Sequence, residues 1–281
     1  MLTVVCLTTL SVLSGCSNQG SSGNRELTAF VGSSAKGAMD PSAQLFSGKT
    51  GIKVFINYGG SGTLLSQMEL AKTGDLYIPA SPDYIAKATA DKAVFPETET
   101  RIYYLVPAIL VQKGNPRNIK SLSDLTRPGL KIAIADPKTV PAGLYAYELL
   151  DFNGLLQGVG KNILAYGTTN EQISTYVILK TVDAAIAWDV VAIQQPQNLD
   201  VVYPQPNQIP RLSYMSGAIS TYTRNEADAQ SFLNFLNSPE VRAIFKQNGY
   251  YTTLDEAKKF APDAQIGGEY KLPADYTPLA Q

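Results

Sequence analysis

The chain has 281 residues, 23 Lys and Arg against 24 Asp and Glu, a formal net charge of −1, and no histidine. The length leaves room for two ordinary domains, and the balanced charge lacks the basic footprint of a nucleic-acid binder. The missing histidine excludes Ser-His-Asp triads, His-based acid–base catalysis and His metal sites together.

Residues 2–13 form an uncharged, mainly apolar run. Its length suits the apolar region of a signal peptide and is short for a bilayer span. The run leads into Leu13-Ser14-Gly15-Cys16, which resembles a bacterial lipobox, where the cysteine is acylated and becomes the new amino terminus. A polar tether, residues 17–24, follows. Residues 1–26 are therefore expected to export the protein and to hold it on the membrane through a lipidated Cys16; the alternative is a plain cleaved signal peptide. The other cysteine, Cys6, lies in the same segment, so the rest of the chain has no disulfide framework and no cysteine metal site.

Residues 27–31 (Leu-Thr-Ala-Phe-Val) read as a buried strand that stops at Gly32. Ser33 and Ser34 follow, then small residues that open a helix over 36–46. The first N–H groups of a helix lack intrahelical partners and lie at the positive end of its dipole. Serine hydroxyls add neutral donors, so this turn suits an oxyanion; the alternative is an ordinary turn with a serine N-cap. The pattern recurs: a strand over 52–58, the turn Gly59-Gly60-Ser61-Gly62, and a helix over 63–73. A short strand (76–79) and a helix (81–90) complete the first region. This alternation predicts a mostly parallel sheet covered by helices, with ligands at the carboxyl ends of its strands.

Residues 102–111 read as one strand leaving the first lobe for a second, with Pro107 at an edge or crossover. The second region repeats the pattern. A strand (130–135) leads into the loop Asp136-Pro137-Lys138-Thr139-Val140-Pro141-Ala142-Gly143 and a helix (144–150). A strand (162–166), the N-cap pattern Thr168-Thr169-Asn170-Glu171 and a helix (172–180) precede a buried strand (184–187) that ends in Trp188-Asp189. After a strand at 201–203, Pro204, Pro206 and Pro210 stiffen a connection to a long strand (212–223) that returns to the first lobe. Helices over 225–236 and 240–248 follow, the second stopped by Gly249, and residues 262–281 read as a loosely ordered tail.

Taken together, Phe30-Val31-Gly32-Ser33-Ser34, Asn57–Leu64, Gly74-Asp75-Leu76-Tyr77, the loop from Ile134 to Gly143, Ala185–Asp189 and the stretch from Thr221 to Gly249 carry a family likeness. The chain resembles the solute-binding proteins of bacterial ABC importers, and among them the molybdate/tungstate-binding branch. The Asp-Pro-Lys-x-Val-Pro-Ala-Gly loop is the most specific of these features. The resemblance implies an α/β two-lobe periplasmic-binding-protein fold, type II-like, each lobe a mixed sheet flanked by helices and hinged by crossover strands. Residues 27–105 plus 212–281 would form lobe I and residues 106–211 lobe II.

By the same resemblance a tetrahedral oxyanion, molybdate or tungstate, lies between the lobes. Ser33 or Ser34 and Ser61 would donate from lobe I; Val140 and Ala142 would offer backbone N–H groups from lobe II, with further contacts at Asn170 and Trp188. Relatives with tetrahedral coordination carry a tyrosine hydroxyl where Trp188 stands. Glu171 and Asp189 would be metal ligands only if the oxyanion's metal were octahedral, as in some archaeal relatives. No cofactor and no catalysis are implied; the expected partners are the anion and a membrane permease, and the expected state is a monomer. The rival expectations are the same fold binding phosphate, sulfate or another small solute, an exported enzyme of unknown reaction, and a surface lipoprotein with a structural role.

Overall fold

The structure, a computed structural model, describes residues 25–279; Cys6, Cys16 and the export segment lie outside the described residues. The opening strand β1 (Glu26–Gly32) is apolar on both faces and sits inside a sheet. Leu27, Ala29 and Val31 face one core cluster and Phe30 another. The chain then alternates through α1 (Lys36–Thr50), β2 (Lys53–Gly59), α2 (Ser61–Ala71), β3 (Leu76–Ile78) and α3 (Pro82–Ala90). β2 and β3 flank β1 in parallel register, so Gly32 and Gly59 finish side by side. On one face α1 is locked by Phe46, whose ring lies 5.0 Å from Phe232 and 5.3 Å from Phe235.

The apolar run expected as one strand is two. β4 (Thr100–Leu105) joins the first sheet and β5 (Pro107–Gln112) the second, with only Val106 between them. Pro107 is the first residue of β5, a strand paired on both sides, so its missing N–H is accommodated by a strand start and not by a sheet edge. The second lobe adds β6 (Ile132–Ala135), α4 (Pro141–Phe152), α5 (Leu156–Gly160), β7 (Ile163–Gly167), α6 (Asn170–Ile178), β8 (Ala184–Trp188), α7 (Val190–Ile193) and β9 (Leu199–Val202). Its strand order is β7-β6-β8-β5-β9, with β5 antiparallel to both neighbours. Among the described residues, no helix is long and apolar enough to cross a membrane.

The proline-rich connection returns the chain to β10 (Arg211–Ile219), which runs antiparallel to β3 and β4. Both sheets are therefore mixed, where strand–helix alternation alone predicted mostly parallel ones. Helices α8 (Glu226–Leu236), α9 (Pro239–Gln247) and α10 (Leu254–Lys258) follow, then β11 (Gln265–Ile266) beside β10. The last stretch is not a loose tail. It leaves the first sheet and lies on lobe II: Tyr270 OH donates to Asp151 Oδ2 at 2.8 Å, Leu279 N–H donates to Tyr166 OH at 2.7 Å, and the Tyr276 ring packs 5.3 Å from Tyr147.

Candidate functional site

The carboxyl ends of β1 and β2 in lobe I face those of β6, β7 and β8 in lobe II. Ser33, Ser34 and Ala35 form a 3₁₀ turn between β1 and α1, and both serines are buried. The Ser34 carbonyl accepts from Tyr250 OH, which pins the turn, while Ser34 Oγ has no partner among the described residues. Ser61 opens α2 and is fully buried; its Oγ accepts from Ala80 N–H at 3.2 Å, which leaves its own proton free to donate inward.

Lobe II supplies the opposite wall. Pro141 fills the first position of α4, where its missing N–H costs nothing. The Val140 N–H is not a free donor as expected: it closes a turn on Asp136 O at 2.9 Å. Ala142 N–H, one place beyond the proline, has no backbone partner among the described residues. Asn170 is buried at the start of α6, behind the Thr169 N-cap, with its Oδ1 unpartnered. Trp188 ends β8, fully buried, and its indole Nε1 is unpartnered as well.

The lobes touch around these groups. Gly62 N–H of lobe I donates to Thr139 O of lobe II at 2.9 Å, and Tyr84 OH donates to Lys138 O at 3.0 Å. A Cβ at Gly60 would stand 2.8 Å from Thr168 O, so the absence of a side chain there lets the two turns meet. Arg211, at the hinge end of β10, joins the lobes by charge. It binds Asp83 of α3 at 3.0 Å and Glu148 of α4 at 2.7 Å, and all three side chains are largely buried.

Among the described residues, the two lysines beside these turns are engaged elsewhere. Lys36 pairs with Asp40 at 2.7 Å and Lys138 lies over the Tyr276 ring, both at the surface. Glu171 is half-buried, one residue into α6. Asp189 is fully buried, but its Oδ2 accepts from Tyr203 OH at 3.0 Å and Tyr251 OH at 2.6 Å. Tyr203 lies on the connection between β9 and β10 and Tyr251 bridges to Tyr104 of β4, so Oδ2 is held between them, while Oδ1 is buried without a partner among the described residues. Burial pushes the carboxylate up to about 6, against the pull of both hydroxyls. Among the described residues no group of three or more His, Cys, Asp or Glu could hold a metal ion. The octahedral expectation needs only Glu171 and Asp189 beside the oxyanion's own four oxygens, and one oxygen of Asp189 is engaged by the two tyrosines.

Sequence reasoning missed Tyr145, Ser81 and the Arg211 bridge. Ser81 Oγ and Tyr145 OH are buried without partners, the first just after β3, the second on a ring packed 5.0 Å from Trp188. The signal for Tyr145 was spacing: it stands three residues after Ala142, one helical turn on, so both lie on the same face of α4.

Two α/β lobes, joined by crossover strands and closed on a set of buried neutral polar groups, define a two-lobed solute-binding protein. The chain belongs to the bacterial extracellular solute-binding protein family, which matches it over residues 27–251. It is 26% identical over 242 residues to the molybdate-binding protein ModA of Escherichia coli (strain K12), covering 80% of this chain and 88% of that protein. It is 27% identical over 243 residues to a sulfate-binding protein of Synechococcus elongatus, covering 74% of this chain and 66% of that one. The fold matches that of the periplasmic molybdate-binding protein of Azotobacter vinelandii with a TM-score of 0.71 at 21% identity, over 81% of this chain and 99% of that structure.

Proposed function

We propose that this protein is the extracytoplasmic receptor of an ABC importer, and that it closes over a fully deprotonated tetrahedral oxyanion, molybdate or tungstate, for delivery to a membrane permease. The observation that carries this reading is a group of unpartnered buried donors, Ser34 Oγ, Ser81 Oγ, Tyr145 OH and Trp188 Nε1, with the free proton of Ser61; the acceptors Asn170 Oδ1 and Asp189 Oδ1 are unpartnered beside them. An unmet buried donor is costly, and an anion satisfies several at once. Neutral donors and helix N-termini stabilise a dianion without a countercharge. The Trp188 indole donates and never accepts, which disfavours an anion that presents a proton to it. Ser33, Ser34, Ser61, Ala142, Asn170 and Trp188 are the proposed contacts, and no step of chemistry is required. Acylation of Cys16 would keep the monomeric receptor beside its permease.

Sulfate is the second reading, since it offers the same charge and shape and a 27% identical relative is a sulfate-binding protein. The test is thermal unfolding of the protein with molybdate, tungstate, sulfate or phosphate. A ligand bound only by the folded state adds about 2.7 kcal/mol at a hundredfold excess over its dissociation constant. A clear rise in midpoint with molybdate and tungstate and little with phosphate is expected; a rise with sulfate alone selects the second reading, and no rise with any of the four overturns both.

A further inference from the structure

Tyr145 is 2% exposed, and its hydroxyl, close to that of Ser213, meets no group in good hydrogen-bond geometry among the described residues. The ring cannot turn to find one. Trp188 packs edge-on against it at 5.0 Å and 65°, and the Arg211 guanidinium lies 4.0 Å from its centre. Arg211 is itself held by Asp83, Glu148 and the Gly268 carbonyl. The neighbouring Ser213 hydroxyl directs its own proton to Ala80 O at 3.1 Å. Ala80 is the residue whose N–H holds Ser61 Oγ. The phenol thus extends from lobe II toward the Ser61 turn of lobe I, beside the equally unpartnered Trp188 Nε1. Burial pushes its pKa well up, and the Asp83 charge adds to this against the smaller pull of Arg211, so the group stays a neutral O–H donor at physiological pH.

We infer that the Tyr145 hydroxyl is a direct donor to the bound oxyanion, locked in place by Trp188 and Arg211. This rests on the oxyanion reading above. In this arrangement Arg211, neutralised by Asp83 and Glu148, fixes the ring and leaves the hydroxyl to meet the ligand as a neutral donor. The Tyr145 and Trp188 donors form one unit of lobe II that meets the Ser34 and Ser61 donors of lobe I.

The experiment compares wild type with Tyr145→Phe, which keeps the ring, its packing on Trp188 and its contact with Arg211. Binding of molybdate, tungstate and sulfate is measured by calorimetry, with the fluorescence of Trp188, the chain's one tryptophan, as a second readout. Loss of a hydrogen bond to a charged ligand weakens affinity about 10- to 100-fold. That loss is expected, with the ligand-free unfolding midpoint unchanged or higher because an unmet buried hydroxyl is gone. If wild type binds an oxyanion and the variant binds it within twofold, the inference fails and the oxyanion reading stands. A lowered ligand-free midpoint would make Tyr145 a structural residue and would also overturn the inference. If wild type binds none of the three anions, the oxyanion reading fails and takes this inference with it.

Discussion

Gly60 offers a test of lobe closure that leaves each lobe's own fold alone. Its backbone is extended, with φ −67° and ψ 135°, a conformation open to any residue. In the closed molecule an added Cβ would lie 2.8 Å from Thr168 O, 3.0 Å from Val140 Cγ2 and 3.2 Å from Thr139 O. All three atoms belong to lobe II, and two are backbone oxygens. The turn that carries Thr139 is fixed: Thr139 N–H and Val140 N–H both donate to Asp136 O, and Thr139 Oγ1 donates to Asp136 Oδ2 at 3.0 Å. Gly60→Ala must therefore push the lobes apart by a few tenths of an ångström, which would stretch the Gly62 to Thr139 hydrogen bond. Overpacking of this kind costs about 1–3 kcal/mol. Because closure is part of binding, the cost falls on the dissociation constant, an increase of about 5- to 150-fold. Calorimetric titration of wild type and variant with the anion selected by the unfolding screen measures it, with circular dichroism to confirm the fold. An unchanged dissociation constant would refute the reading of Gly60 as the point where the lobes meet.

Asp189 gives a pH signature. Its folded pKa of about 6 lies above the 3.8 of an unperturbed aspartate, so the folded state holds the proton more tightly than the unfolded chain. The stability this contributes is full below about pH 4 and is lost as pH rises through 6, roughly 3 kcal/mol in all. Asp189→Asn keeps an acceptor for Tyr203 and Tyr251, so its stability relative to wild type should grow by that amount between pH 4 and 7.5 in urea titrations; parallel profiles would contradict the assignment. Arg211→Ala leaves Asp83 and Glu148 buried without their cation and should cost about 3–5 kcal/mol in the same assay, and a loss below 1 kcal/mol would show that the bridge does not join the lobes. Deleting residues 269–281 removes the Tyr147–Tyr270 and Tyr147–Tyr276 pairs and should lower stability by about 1–3 kcal/mol; no change would mean that the final segment does not brace lobe II.

What the sequence revealed and what it hid divide along sequence distance. The Gly-Ser-Ser and Gly-Gly-Ser-Gly turns were legible because strand, turn and helix start are neighbours in the chain, and the donors they create follow from helix ends alone. Strand–helix alternation alone could not show that the first sheet is mixed, because that is set by where β10 returns, more than 100 residues after β3 and β4. The closing segment read as loose because Pro273, Pro278 and its polar residues give no periodic pattern, while Tyr147, Asp151 and Tyr166, which hold it, stand far back in the chain. Val140 was misjudged for a local reason: the residue before a helix-opening proline was counted as a donor, although Asp136 four residues earlier claims its N–H.

The same reasoning explains why the charged residues near the site do not serve it. Asp189 directly follows Trp188, and a carboxylate there would repel a dianion. Tyr203 and Tyr251 engage that charge on Oδ2, and burial lifts its pKa toward neutrality. Arg211 would attract the anion strongly, but two carboxylates hold its guanidinium and a tyrosine ring lies over it. Arg211 is thus balanced within the framework that sets the lobe geometry, and the buried unpartnered donors that remain, Ser34, Ser81, Tyr145 and Trp188, are neutral. A dianion held by neutral donors needs no counterion to be exchanged when the lobes part. An ion pair between cargo and receptor would have to be broken at every delivery, and on the proposed oxyanion reading neutral donors would avoid it.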